Sequence, residues 1–153
     1  MTSQALSGMV SALIQAILVF AVAFGVGYRP KGDMSTLVVA FALVLVYSLC
    51  NVGFGLITAT LAKSPGAATG IAFLFIMPQM FLGTFVGSAL SATAQSVGRF
   101  VPSYYVTDAL TSLFLRGAPI LSPTILFDAI LVLVTSISTL VIGILLFKRF
   151  GRT

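Results

Sequence analysis

The chain has 153 residues, 59% of them hydrophobic and only 7% charged, where soluble domains carry about a quarter charged residues. It contains no His, no Trp and no Glu, and eight Lys and Arg against three Asp leave a formal charge of +5. A soluble enzyme of this length is excluded, because so short a chain cannot hide that much apolar surface. A nucleic-acid binder is excluded too, because the cations stand in connectors and at segment ends rather than on one dense face.

Four apolar stretches fill most of the length, and at ~1.5 Å per residue each is long enough to cross a ~30 Å hydrocarbon core as a helix. The first, Ala5–Gly27, has no Lys or Arg before it and exceeds a signal-peptide core of about 7–15 residues. It reads as a retained spanning helix, interrupted only by Ser11 and Gln15. The connector Tyr28–Ser35 holds Pro30, Gly32 and three charges, a turn composition. The second stretch, Leu37–Leu61, passes through Tyr47, Ser48, Asn51, Gly53 and Gly55. A short connector, Ala62–Gly66, again with Pro and Gly, leads to the third, Ala67–Leu90. Pro78 near its middle removes one helical hydrogen bond and is expected to kink it, while Gly83 and Gly87 give a GxxxG spacing that permits close approach of a neighbour.

Leu90–Pro123 is different in kind. After a small polar run it reads GRFVPSYYVTDALTSLFLRGAPILSP, where Tyr105, Ala109 and Leu113 recur every four residues, as do Val106 and Leu110. That period predicts a short amphipathic helix with Asp108 and Arg116 reaching water, anchored at an interface by Tyr104 and Tyr105. The last stretch, Leu126–Phe147, starts near Asp128 and ends on Lys148, Arg149 and Arg152. The expected fold is therefore an all-α polytopic membrane protein, one transmembrane domain over residues 1–153. It has four transmembrane helices and a re-entrant or interfacial helical hairpin, about 91–117, before the last.

Four spans put both termini on one side with Lys63, and four cations then stand on each side. The positive-inside rule is thus balanced, and the dense C-terminal cluster favours cytoplasmic termini.

The single cysteine, Cys50, lies inside an apolar run and reads as a small buried hydrophobe. With no histidine, the usual metal sites and Ser/His or Cys/His nucleophilic chemistry lack their parts. No phosphate-cradling GxxxxGK[ST] occurs, so the chain does not bind ATP through a P-loop. Polar residues in apolar runs are Gln15, Asn51, Gln79 and Asp128; such groups face protein or a water-filled cavity. Gln79 beside Pro78 reads either as a polar notch on a translocation path or as an interhelical hydrogen bond. Gln15 and Asn51 read first as interhelical hydrogen bonds, with Asn51 a second path candidate. Asp128 fits interface depth near a helix N-terminus, where the macrodipole favours an anion, or, alternatively, a proton-coupling carboxylate.

The order of these features resembles the C-terminal part of the membrane subunit of ABC exporters, in the type-2 permease family. The similarity rests on GFGLITATLAKSPGAATG, on the Pro78 helix ending IMPQMFLGTFVG, on PSYYVTDAL from Pro102 to Leu110, and on the final LLFKRFGR. The resemblance implies a six-helix permease with cytoplasmic termini in the cell membrane, of which this chain supplies helices three to six. It also implies a re-entrant extracellular hairpin carrying Pro102, Tyr104, Tyr105 and Asp108. Two such membrane domains, as a homodimer or with a second permease half, work with ATP-binding cassette subunits to move lipids, glycans, drugs or peptides outward. The chain itself then carries no cofactor and no catalytic residue, ATP being held by the partner subunit; its other contacts are membrane lipid, and no nucleic acid. Gly87 stands where the family often has proline, and Thr111 where it often has arginine. The family's first two helices and the coupling helix between its second and third have no counterpart, so a split subunit, a truncation or a fragment is expected.

The function expected is that of a permease component of an ATP-driven exporter. Pro78, Gln79 and Asn51 stand on the path, and Gly83 and Gly87 at a close contact or bend. The alternatives are a non-transporting structural subunit of a larger membrane complex, and a small ion-coupled secondary transporter that uses Asp128.

Overall fold

A computed structural model describes residues 2–27, 34–84 and 96–150. Five helices account for nearly all of them: α1 Thr2–Gly25, α2 Met34–Leu61, α3 Pro65–Thr84, α4 Pro102–Phe114 and α5 Pro123–Phe150. No strand occurs among the described residues. Helices α1, α2, α3 and α5 are each long and apolar enough to cross a membrane, and the 13-residue α4 is not. The chain is an all-α, multi-pass membrane protein.

Proline sets several helix starts, which corrects the expected boundaries. Pro65 and Pro123 fall in connectors when read by composition, yet each is the first residue of its helix, as is Pro102. At that position the missing N–H has no intrahelical partner to lose, and the fixed φ suits the helix. Ser64 completes the start of α3: its carbonyl accepts from the Ala68 N–H at 2.9 Å and its hydroxyl from the Ala67 N–H at 3.2 Å, a side-chain cap. Ser122 accepts the first bond of α5 in the same way through its carbonyl, from the Leu126 N–H. Helix α5 therefore begins three residues earlier than its apolar run.

Helix α2 is the hub and touches each of the other four. Its tightest partner is α5, against which Gly53 and Gly143 remove the side chains that would hold the backbones apart. A Cβ on Gly53 would lie 2.7 Å from the Thr139 carbonyl carbon, and one on Gly143 would lie 2.8 Å from the Gly53 carbonyl oxygen. Around this crossing small buried residues, Cys50, whose thiol donates to Thr139 Oγ1 at 3.7 Å, and Ser136, are joined by Leu56 packed against Gly143. Small residues at contacts and large ones outside is how helices pack where lipid is as apolar as leucine. Val22, Leu74, Phe81, Ile130 and Leu145 all point outward accordingly.

Helix α1 leans on α2 along one stripe, Gly8, Ala12, Ala16 and Phe20, a four-residue repeat. Phe20 ends it, with ring centroids 5.2 Å from both Phe41 and Phe114. Helix α4 fills the space among α2, α3 and α5. Its Ala109 and Leu113 join Leu43 and Ile125 in a fully buried cluster, flanked by Val39, Ala118, Ile120 and Ala129. Its first turn touches Gln79 and its last touches Phe20, so α4 is inserted between the long helices rather than laid on their ends.

Candidate functional site

The polar residues of α2 and α3 meet midway along α2. The Tyr47 hydroxyl donates to Gln79 Oε1, joining the two helices across their contact. The Ser103 hydroxyl, from the first turn of α4, donates to the Gln79 backbone carbonyl at 2.9 Å. Ser103 fits there because Gly83 lies opposite: a Cβ on Gly83 would come within 2.7 Å of the Ser103 oxygen. Gln79 is thus held twice, by side chain from α2 and by backbone from α4. Pro78 beside it is exposed, and α3 runs through it without a break in helical structure. The proline leaves the Leu74 carbonyl without its in-helix donor.

Two apolar cavities flank this junction. One of about 450 Å³ lies between α2 and α3, walled by Phe54, Thr58, Ala72 and Phe75 and closed at one end by Asn51 and Gln79. The Phe54 and Phe75 rings face each other there with centroids 5.0 Å apart. The other, about 440 Å³, lies among α1, α2 and α4, with Gln15, Tyr47, Ser48 and Asn51 set among Phe20, Val44, Leu110 and Phe114. Asn51 and Gln79 meet again, with Tyr47 and Met80, in a smaller hollow of about 170 Å³. Asn51 is exposed and reaches all three, so the Tyr47–Asn51 turn of α2 is a polar ridge between two greasy walls. Neither large cavity is lined by Asp, Lys or Arg. Such a surface suits a molecule with an apolar body and a few uncharged hydrogen-bonding groups.

The hairpin residues form a second cluster. Pro102 opens α4 after an extended Val101 at φ −109° and ψ 128°. The Tyr104 ring lies against Gly98, where a Cβ would stand 2.9 Å from it. Tyr105 donates its hydroxyl to the Arg99 carbonyl at 2.7 Å and packs edge-on against Tyr104 and Phe127. Asp108, expected to reach water, is only 18% exposed and pairs at 3.2 Å with Arg116, which is 52% exposed and also donates to Ser112 Oγ at 3.1 Å. The chain leaves α4 through Gly117, whose φ of +65° favours glycine. Gly87 and the expected bend of α3 into the hairpin lie outside the described residues.

Asp128 lies in the second turn of α5 and faces protein. It is 3% exposed, on the α5 face that carries Ile125 and Val132, and its Oδ2 has no hydrogen-bond partner among the described residues. Sequence reasoning passed over Ser103 altogether, because a lone serine in a polar hairpin carries no signal. The pair Gly53 and Gly143 was equally silent, since their contact joins residues far apart in the chain.

Residues 1–115 match the family described as ABC-2 type transporter, a span that takes in α1 to α4 and ends before α5. No curated protein and no solved structure matches the chain.

Proposed function

We propose that this chain, which belongs to the ABC-2 type transporter family, lines the translocation path of an ATP-driven exporter. Its role is that of a membrane permease component, not of a catalyst, and ATP would be bound and hydrolysed on a separate ATP-binding cassette subunit. The termini would face the cytoplasm from the cell membrane, and a second permease half or a second copy would complete the path. The observation that carries this reading is the Tyr47–Gln79 bond set between two uncharged cavities of about 450 and 440 Å³. A lipid, glycan, drug or similar amphiphile could rest its apolar body on Phe54 and Phe75 while its hydroxyl or amide groups compete for Gln79 and Asn51. Taking Tyr47's place on Gln79 would loosen α2 from α3, a differential contact of the kind that lets a ligand shift a conformational equilibrium.

The experiment is affinity purification in mild detergent followed by transport in reconstituted vesicles. An ATP-binding cassette subunit should co-purify, and Gln79→Leu should lower transport without reducing recovery of the complex. Absence of an ATPase from the purified assembly would favour the structural-subunit reading instead. The buried carboxylate of Asp128, with no hydrogen-bond partner for Oδ2 among the described residues, gives the ion-coupled alternative a concrete test. Under that reading Asp128→Asn abolishes dependence on the ion gradient, whereas under ours transport follows ATP in both proteins.

A further inference from the structure

We infer that the groove between α2 and α5, at the end bearing Lys63, Lys148 and Arg149, binds an anionic phospholipid. One acyl chain lies in the groove and the phosphate sits at the cations. This does not depend on the transport reading. The groove follows from the helix crossing. Gly53 and Gly143 bring the two backbones into contact, and beyond that point, toward the C-terminal end of α2, small residues leave a gap. A Cβ on Gly55 would meet nothing within 4 Å. The gap is a cavity of about 300 Å³ lined by Val52, Gly55, Leu56, Ala59 and Phe147, with no polar side chain among them. From Val52 to Ala59 it follows α2 for about 10 Å at the helical rise, roughly a third of a ~30 Å hydrocarbon core.

Its charged rim is fixed by sequence. Phe147, which walls the groove, is followed directly by Lys148 and Arg149, and Lys63 stands just past the end of α2; all three are exposed. Among the described residues no acid opposes them there. Asp108 and Asp128 belong to the opposite end of the bundle, and Asp33 to the connector between α1 and α2. An apolar slot at the end of the bundle that carries three exposed cations, one of them, Arg149, over the Phe150 ring, matches a molecule with a hydrocarbon tail and a negatively charged head. A zwitterionic lipid fits the slot but gains no net attraction at the rim. An acidic protein surface would meet the cations but has nothing to place in the slot.

The test is native mass spectrometry of the purified complex with phosphatidylglycerol and phosphatidylcholine of identical acyl chains. Phosphatidylglycerol should be retained preferentially. Each cation near an anionic headgroup is worth roughly fivefold, so Lys148→Gln with Arg149→Gln should cut that retention about 25-fold. Swapping the pair, Lys148→Arg with Arg149→Lys, should leave it intact. Gly55→Leu fills open space and should weaken retention of both lipids while the complex stays assembled. Equal retention of the two lipids by the unaltered complex, or an unchanged preference in the Gln double variant, would overturn the site. So would displacement of phosphatidylglycerol by inorganic phosphate with Gly55→Leu having no effect, since the cations would then bind phosphate without the groove.

Discussion

Gly53 and Gly55 stand two residues apart on α2, on opposite sides of the helix, and differ in everything around them. A methyl group on Gly53 would press into the Thr139 backbone at 2.7 Å, which cannot move aside as a side chain tip could, whereas one on Gly55 meets nothing. Overpacking of this kind costs about 1–3 kcal/mol. Gly53→Ala should therefore lower the thermal midpoint of the detergent-solubilised protein by several degrees, and Gly55→Ala should leave it unchanged. Tyr47 invites the opposite split. Hydrogen bonds between membrane helices average only about 0.6 kcal/mol, so Tyr47→Phe should barely alter thermal stability. If the Tyr47–Gln79 bond closes the path, the same variant should change transport in reconstituted vesicles at least several-fold. A variant equal to the unaltered protein in both measurements would make that bond mere packing. The sequence named Gln79 and Asn51 as polar in an apolar setting, because composition alone reveals that much. It could not name Ser103 as the donor to Gln79, since that contact depends on where α4 is inserted.

Among the elements, the α3–α4 contact has the most to say about movement. Helix α3 continues through Pro78, and one turn further on Gly83 admits Ser103. Replacing Pro78 with Ala restores a backbone donor and stiffens this stretch. Pro78→Ala should insert normally and reduce transport in the reconstituted complex; full transport would remove Pro78 from the mechanism. The α4 hairpin is held differently, by a buried apolar cluster and by the Asp108–Arg116 pair at its rim. An ion pair this exposed is worth about 0–1 kcal/mol, so Asp108→Asn should scarcely destabilise the fold, while Leu113→Ala, at a fully buried site, should cost about 2–5 kcal/mol. The four-residue period over Tyr105, Ala109 and Leu113 made α4 legible, because two of the three face the core. The helix starts were less so. Proline reads as turn composition until its neighbours show that it stands at the first position of a helix, as Pro65, Pro102 and Pro123 all do.

Across the whole molecule, the even number of spans was legible from hydropathy, and it fixes a charge asymmetry that a count of basic residues hides. Read along the sequence the cations divide four and four, so the positive-inside rule does not choose between the two orientations. Among the described residues, however, the end holding Lys63 and the α5 terminus groups three cations with no acid, while Asp108 and Asp128 lie at the other with Arg99 and Arg116. A basic cluster such as Lys63, Lys148 and Arg149 next to an anionic cytoplasmic leaflet is favoured by roughly 1 kcal/mol per cation near the surface. The orientation so favoured has both termini in the cytoplasm and the α4–α5 turn outside. The one cysteine makes the test clean. Cys50 is buried against Thr139, and in a Cys50→Ala background a new cysteine reports only its own side. Leu121→Cys, at an exposed position just before α5, should react with a membrane-impermeant maleimide on intact cells. Lys63→Cys should react only after permeabilisation. The reverse pattern would invert the molecule and put the basic groove, and any lipid in it, in the outer leaflet.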